Sequence, residues 1–197
     1  MSLRYALLAL LTAEPLTGYD VAKHFSASVG HVWHAPDSQI YPELRRMEKE
    51  GLLAGEEVRW GPNSTKKRYR VTDTGIDVLR EWMDTPLDYA PGRDAPHMQA
   101  AYLEWAQPDH AREHMRRHIA HHRDQVEQWT ATRAAILDRS NTTIAKRLER
   151  YPEADHERIL AYKAFAYDGL IARAEAEIAW AQQGLELIDK LSPPPEG

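Results

Sequence analysis

Apolar positions in the first half of the chain form short periodic runs, and the period changes twice. LRYALLALLT, Leu3 to Thr12, is apolar on most sides, which predicts a short buried helix. LTGYDVAKHFSASVG, Leu16 to Gly30, opens close to a capping box: Thr17 can accept from the backbone N–H three residues on, and Asp20 can reach back. Val21, Phe25 and Val29 then recur every fourth residue, predicting a second helix of about three turns that Gly30 ends. SQIYPELRRMEKEGLL, Ser38 to Leu53, predicts a third, capped by Asp37 or Ser38 and stopped by Gly51. Ile40, Leu44 and Met47 share one face of it; at about 100° per residue Ser38, Pro42, Arg45 and Lys49 lie opposite. The period then drops. Leu52 to Trp60 and Thr65 to Thr72 read as strands around the turn Gly61 to Ser64, a hairpin signal. A fourth helix, Asp73 to Met83, turns Ile76, Leu79 and either Trp82 or Met83 inward.

Beyond Asp94 the pattern is almost wholly helical. Asp84 to Pro96, with three prolines and a glycine, has a linker's composition. His97 to Ala106 predicts a short helix, and Pro108-Asp109 opens a long one. Met115, Ile119, His122, Val126, Trp129 and Ile136 recur by threes and fours, with Arg133 interrupting, as in a coiled coil. Pro152 breaks the chain, and a last helix runs from Ala154 to Leu191. Leu160, Tyr167, Leu170, Ala174, Ile178, Ala181, Leu185 and Ile188 line its apolar side, while Ala164, Ala166, Ala172 and Ala176 keep it slim. Helices of about 45 Å or more cannot bury such stripes against each other and one short helix alone, which predicts a second copy of the chain.

The 197 residues suit one domain or two small ones. The absence of cysteine excludes disulfides and thiolate chemistry and fits a cytoplasmic setting. No apolar run reaches the roughly 20 residues of a membrane span, so no membrane partner is expected, and Tyr5 to Leu11 is expected to be a core helix and not a leader. The net charge of -5 makes nucleic acid a surprising partner. The cations are clustered, however: Arg45, Arg46 and Lys49 on the third helix, then Arg59, Lys66, Lys67, Arg68 and Arg70, with no acid between Val58 and Asp73.

Three helices, a hairpin and a helix make the order of a winged helix-turn-helix. In that fold the third helix can enter the major groove while a basic hairpin neutralises phosphates alongside. A plainer reading competes. Arg/Lys stripes are often solvated faces, Glu43, Glu48 and Glu50 can pair with Arg46 or Lys49, and a basic hairpin can be a discouraged sheet edge. The joint placement of stripe and hairpin favours the first.

LRYALLALL, LTGYD, SQIYPELRRMEKEGLL and KRYRVTDTGIDVLREWM together resemble the PadR family of transcriptional regulators, and VWHAPDSQIY is similar to its longer members. The resemblance implies a mainly α chain. A winged helix DNA-binding domain (1–85) would be followed by a linker (86–96), an all-helical dimerisation domain (97–191) and a disordered tail (192–197). It further implies a homodimer that binds palindromic double-stranded operator DNA, usually as a repressor, and in some members a small aromatic effector that releases it. By position, Ser38, Gln39, Tyr41, Pro42, Arg45 and Lys49 become recognition-helix candidates, and Lys66, Lys67 and Arg68 wing candidates. Tyr41 borders the Ile40–Leu44 face, so packing and DNA contact are both open to it. A winged helix that binds protein partners and not DNA is the alternative.

No nucleophile-elbow serine, phosphate-cradling glycine loop or metal-hydrolase motif is present, so no catalytic residue, cofactor or metal is expected. His110, His114, His118 and His122 do form an i, i+4 ladder with His121 beside it, but it drifts around the helix and one ion cannot collect all four. A polar helix face is the default reading. Trp82, Trp105, Trp129, Trp180, Tyr162, Phe165 and Tyr167 could line an effector pocket, although aromatics at helical spacing more often form core.

Overall fold

The computed structural model describes residues 3–25, 35–60, 64–88 and 92–192. Val29, Gly30, the turn residues 61–63 and the tail from 193 lie outside these. The chain divides into two compact units, Met1–Asp88 with Thr142–Glu153, and Tyr89–Asn141 with Ala154–Gly197.

The first unit contains helices α1 (Leu3–Leu11), α2 (Gly18–His24) and α3 (Asp37–Lys49), strands β1 (Leu16–Thr17), β2 (Leu53–Arg59) and β3 (Thr65–Val71), and helices α4 (Asp73–Asp84) and α7 (Thr142–Leu148). Its core is one cluster. Leu7, Leu8 and Leu11 of α1, Val21 and Phe25 at α2, and Ile40, Leu44 and Met47 of α3 are fully buried within it. Leu52, Leu53 and Tyr69 of the hairpin close it on one side. Each such apolar side chain contributes roughly 1.5–3 kcal/mol by leaving water.

Local chemistry sets the boundaries. Thr17 caps α2, its hydroxyl oxygen accepting from the Asp20 amide. Asp20 does not reach back to the cap backbone as expected; its carboxylate accepts from the Thr17 hydroxyl at 2.7 Å. α3 departs from expectation at its start: Pro36 occupies the cap with no side-chain bond, and Asp37 is already helical, where its charge suits the positive end of the helix. Gly51 ends α3 at φ +78, the left-handed conformation glycine adopts freely. Thr72 caps α4 by accepting from the Gly75 amide at 3.1 Å, and its hydroxyl donates to the Gly51 carbonyl at 2.7 Å. Thus one threonine joins the end of α3 to the start of α4.

The expected hairpin is a three-stranded antiparallel sheet, ordered β1-β3-β2. Leu16 pairs with Tyr69 and Thr17 with Arg68; across the hairpin, Glu56 faces Arg68 and Glu57 faces Lys67. β1 has only two residues, too few to show a period. On α4, Ile76 and Leu79 are half-buried, and Trp82 stacks on Tyr5 of α1 with ring centroids 4.8 Å apart. Met83 points outward, 68% exposed. Helix α7 had no sequence forecast. It packs within the first unit through buried Ile144 and Leu148, a Lys146–Glu14 pair at 2.9 Å, and Arg147 donating to Thr12 Oγ1 at 2.9 Å.

In the second unit the expected His97–Ala106 helix is split into α5 (Ala95–Ala100) and a 3-10 turn, Leu103–Trp105. Two long helices follow, α6 (Pro108–Leu137) and α8 (Glu153–Leu191). They run antiparallel: Arg112 pairs with Asp189 at 2.7 Å, His118 with Glu177 at 3.1 Å and Arg133 with Asp168 at 2.5 Å. Ala111, Met115 and Ile119 of α6 pack with Ala181 and Ile188 of α8. Ala164 is buried with the apolar side of α8, while Ala166, Ala172 and Ala176 are exposed. Among the described residues, no helix is long and apolar enough to cross a membrane.

Candidate nucleic-acid interface

The inner face of α3 is sealed. Ile40, Leu44 and Met47 are each 0% exposed, which fixes the rotation of the helix about its axis. The opposite line of Ser38, Pro42, Arg45 and Lys49 is therefore exposed in full, with Gln39 exposed on its flank. Tyr41 is half-buried, its ring lying over Gly18 at the start of α2; a Cβ at Gly18 would come 2.8 Å from Tyr41 Cε1. This contact is a packing role for Tyr41.

The charges on α3 sort by face. Arg46 pairs with Glu50 at 3.0 Å, and Arg4 of α1 bridges Glu43 at 3.1 Å and Glu50 at 2.8 Å. That network ties α3 to α1. Arg45 and Lys49 have no acid within 4 Å among the described residues. Glu48 reaches away from its own helix to Lys67 of β3, whose Nζ donates to both carboxylate oxygens at 3.0 and 3.1 Å. This bond raises the Lys67 pKa above the usual lysine range. Gly55 on β2 makes room for the pair, since a Cβ there would run into the Glu48 carboxylate and the Lys67 stem. Burial, then Glu48, pushes the Tyr69 hydroxyl up.

The other wing cations are also held. Arg68 pairs with Glu56, Nε to Oε1 at 2.7 Å, across the strand register. Lys66 Nζ lies 3.4 Å from the Trp60 ring centroid and 5.0 Å from that of Tyr19. Sequence reading missed Glu48, Glu56, Trp60 and Tyr19 as supports. Glu56 was legible from the hairpin register, whereas Tyr19 and Glu48 reach the wing only through the tertiary fold. The result is a surface of free cations on α3 beside tethered cations on the wing. It can meet a polyanion with a shaped groove, the helix entering and the wing flanking.

The histidine ladder lies on α6, in the second unit. His110, His114 and His121 are exposed; His118 and His122 are half-buried toward α8. Burial, and next the neighbouring His118, hold the His122 imidazole below the usual histidine range.

Residues 7–81 match the family model described as the transcriptional regulator PadR-like family. The chain is 40% identical over 81 residues to the negative transcriptional regulator PadR of Bacillus subtilis, covering 41% of this chain and 44% of that one. It is 35% identical over 94 residues to the probable transcriptional regulator Rv1176c of Mycobacterium tuberculosis, covering 47% of this chain and 50% of the relative. The chain thus matches about half the length of these relatives. Among solved structures, it resembles Bacillus subtilis PadR in complex with operator DNA with a TM-score of 0.73 at 23% identity, covering 95% of this chain and 97% of that one. It resembles the Vibrio cholerae virulence activator AphA with a TM-score of 0.68 at 23% identity, covering 97% and 100%. Bacillus subtilis PadR in complex with p-coumaric acid gives a TM-score of 0.59 at 25% identity, covering 95% and 98%. The likeness at 23% identity establishes the fold, a winged helix followed by a helical region.

Proposed function

We propose, from the match of residues 7–81 to the transcriptional regulator PadR-like family model, that this chain is a sequence-specific DNA-binding regulator, a repressor released by a small aromatic effector. Two copies would associate through the helical unit and present two α3 helices to a palindromic operator. Ser38, Gln39, Pro42 and Arg45 read base edges, Tyr41 sets the seat of the helix on α2, and Lys49, Lys66, Lys67 and Arg68 engage phosphates. In this reading 1–85 is the DNA-binding part and the helices from 97 to 191 carry dimerisation.

One observation carries the reading. On α3, Arg46 is consumed by an internal ion-pair network, yet Arg45 next to it and Lys49 one turn on stand exposed without an acid partner among the described residues. A merely solvated face would pair Arg45 with Glu48, three residues on; Glu48 instead pairs with the wing. The outward aromatics of α8, Tyr162 at 71% and Phe165 at 74% exposure, support self-association. The Bacillus subtilis relative is described in complex with operator DNA and with p-coumaric acid, which supports the DNA and aromatic-effector parts.

Selection of bound fragments from random duplex DNA by the purified chain tests this. Enrichment of a two-fold symmetric motif is expected. Failure to enrich any sequence, with binding that is insensitive to salt, would favour a winged helix that docks on protein.

A further inference from the structure

Four histidines of α6, His110, His114, His118 and His122, recur at four-residue intervals, but only His118 and His122 turn inward. The residue they meet is Glu177 of α8, 59 positions beyond His118. His118 Nε2 lies 3.1 Å from Glu177 Oε2. One donor atom from each of His118, His122 and Glu177 lies within 4.8 Å of the other two. The His118 and His122 rings meet edge to face, with centroids 4.4 Å apart.

Two imidazoles and a carboxylate are the donor set of a zinc-class cation, with one position left over. Donors at about 2.1 Å from a tetrahedral ion sit roughly 3.4 Å from one another, close to the His118–Glu177 separation. The surroundings suit a ligand role. His122 Nδ1 donates to the Gln125 side-chain oxygen at 2.8 Å, which leaves Nε2 with its lone pair and fixes the ring. Trp180 meets the edge of His118 at 5.4 Å and stacks on His97 at 4.1 Å, walling one side with apolar surface. His97 Nε2 stands 4.0 Å from Glu177 Oε2, with its Nδ1 facing Asp94 at 2.9 Å, so a third imidazole borders the remaining position. A His118–Glu177 hydrogen bond alone accounts for one of the histidines; it gives no reason for a second inward imidazole held by its own acceptor.

We propose that His118, His122 and Glu177 bind one divalent transition-metal ion of the zinc class per chain, clamping α6 to α8. The site stands whether or not the chain binds DNA. The full chain, stripped with a chelator, is titrated with Zn2+ against a chromophoric competitor, and with Co2+ while the visible spectrum is followed. One equivalent should bind, and Co2+ should give the absorption bands of a low-symmetry nitrogen and oxygen site. Gln125→Ala should weaken binding by roughly 10–100-fold, as removal of a supporting hydrogen bond does. His118→Ala and the near-isosteric Glu177→Gln should weaken it further and abolish the Co2+ bands. His110→Ala and His114→Ala should leave both unchanged. The proposal is overturned if stoichiometric binding is absent. It is equally overturned if binding survives His118→Ala and Glu177→Gln, which would assign it to the exposed histidines.

Discussion

The Lys67–Glu48 pair makes a quantitative test of the wing. Lys67 is held by the Glu48 carboxylate of α3 at 3.0 Å, so under the proposed function a phosphate would have to compete with Glu48 for it. Each phosphate contact contributes about -0.9 to the slope of log affinity against log salt, so it loses about 3.5-fold in affinity between roughly 50 and 200 mM. A dimer contains Lys67 twice. Lys67→Ala should therefore flatten the slope by about 1.8 and shrink the loss over that range by about 12-fold. The affinity drop should be nearly equal for operator and unrelated duplexes, because a phosphate contact carries no sequence information. Glu48→Gln has the opposite sign. It releases Lys67 and removes a negative charge beside the DNA. Since exposed ion pairs are weak, the gain should be at most about fivefold per chain. The gain should shrink in the Lys67→Ala background, because only the removal of the Glu48 charge remains. Fluorescence anisotropy with labelled duplexes over a salt series measures all four proteins. An unchanged slope in Lys67→Ala, or weaker binding in Glu48→Gln, would refute the assignment of Lys67 to a phosphate.

Other consequences follow from packing. Leu44→Ala, at a fully buried site on α3, should cost about 2–5 kcal/mol in denaturant unfolding; a cost near zero would mean α3 is not seated as described. Gly75→Ala would drive a methyl into the Leu52 carbonyl and the Val71 side chain, and should lower stability by about 1–3 kcal/mol by the same assay, despite alanine's better helix propensity. Replacing both Tyr162 and Phe165 by glutamate should shift the chain toward monomer in sedimentation, and an unaltered dimer would move the interface elsewhere.

The winged unit was largely legible because its elements are local. Val21 and Phe25, the Ile40–Leu44–Met47 stripe and the Gly51 stop each act within a few residues of chain, and the structure buries or orients each accordingly. Thr17 and Asp20 also signalled the start of α2, but in a different bonding pattern. What stayed hidden depended on distant partners. β1 exists only because Leu16 and Thr17 meet Tyr69 and Arg68. α7 is held by Glu14, Thr12 and Ala9, more than 130 residues earlier. The candidate interface shows the same division. The exposed line Ser38, Pro42, Arg45 and Lys49 follows from helical geometry, whereas the choice of Glu48 for Lys67 over Arg45 does not. The histidine ladder is the sharpest case. Spacing along α6 offered four similar imidazoles, and only Glu177 on α8 singles out His118 and His122.

The proposed function requires the outer face of α3 to read DNA sequence while the wing grips its backbone. Selection from random duplexes with the wild-type chain and with Arg45→Ala tests it most directly. The wild type should enrich one symmetric motif, and Arg45→Ala the same motif with preference relaxed at a single position in each half-site. A motif unchanged by Arg45→Ala, or no motif from either protein, would contradict it.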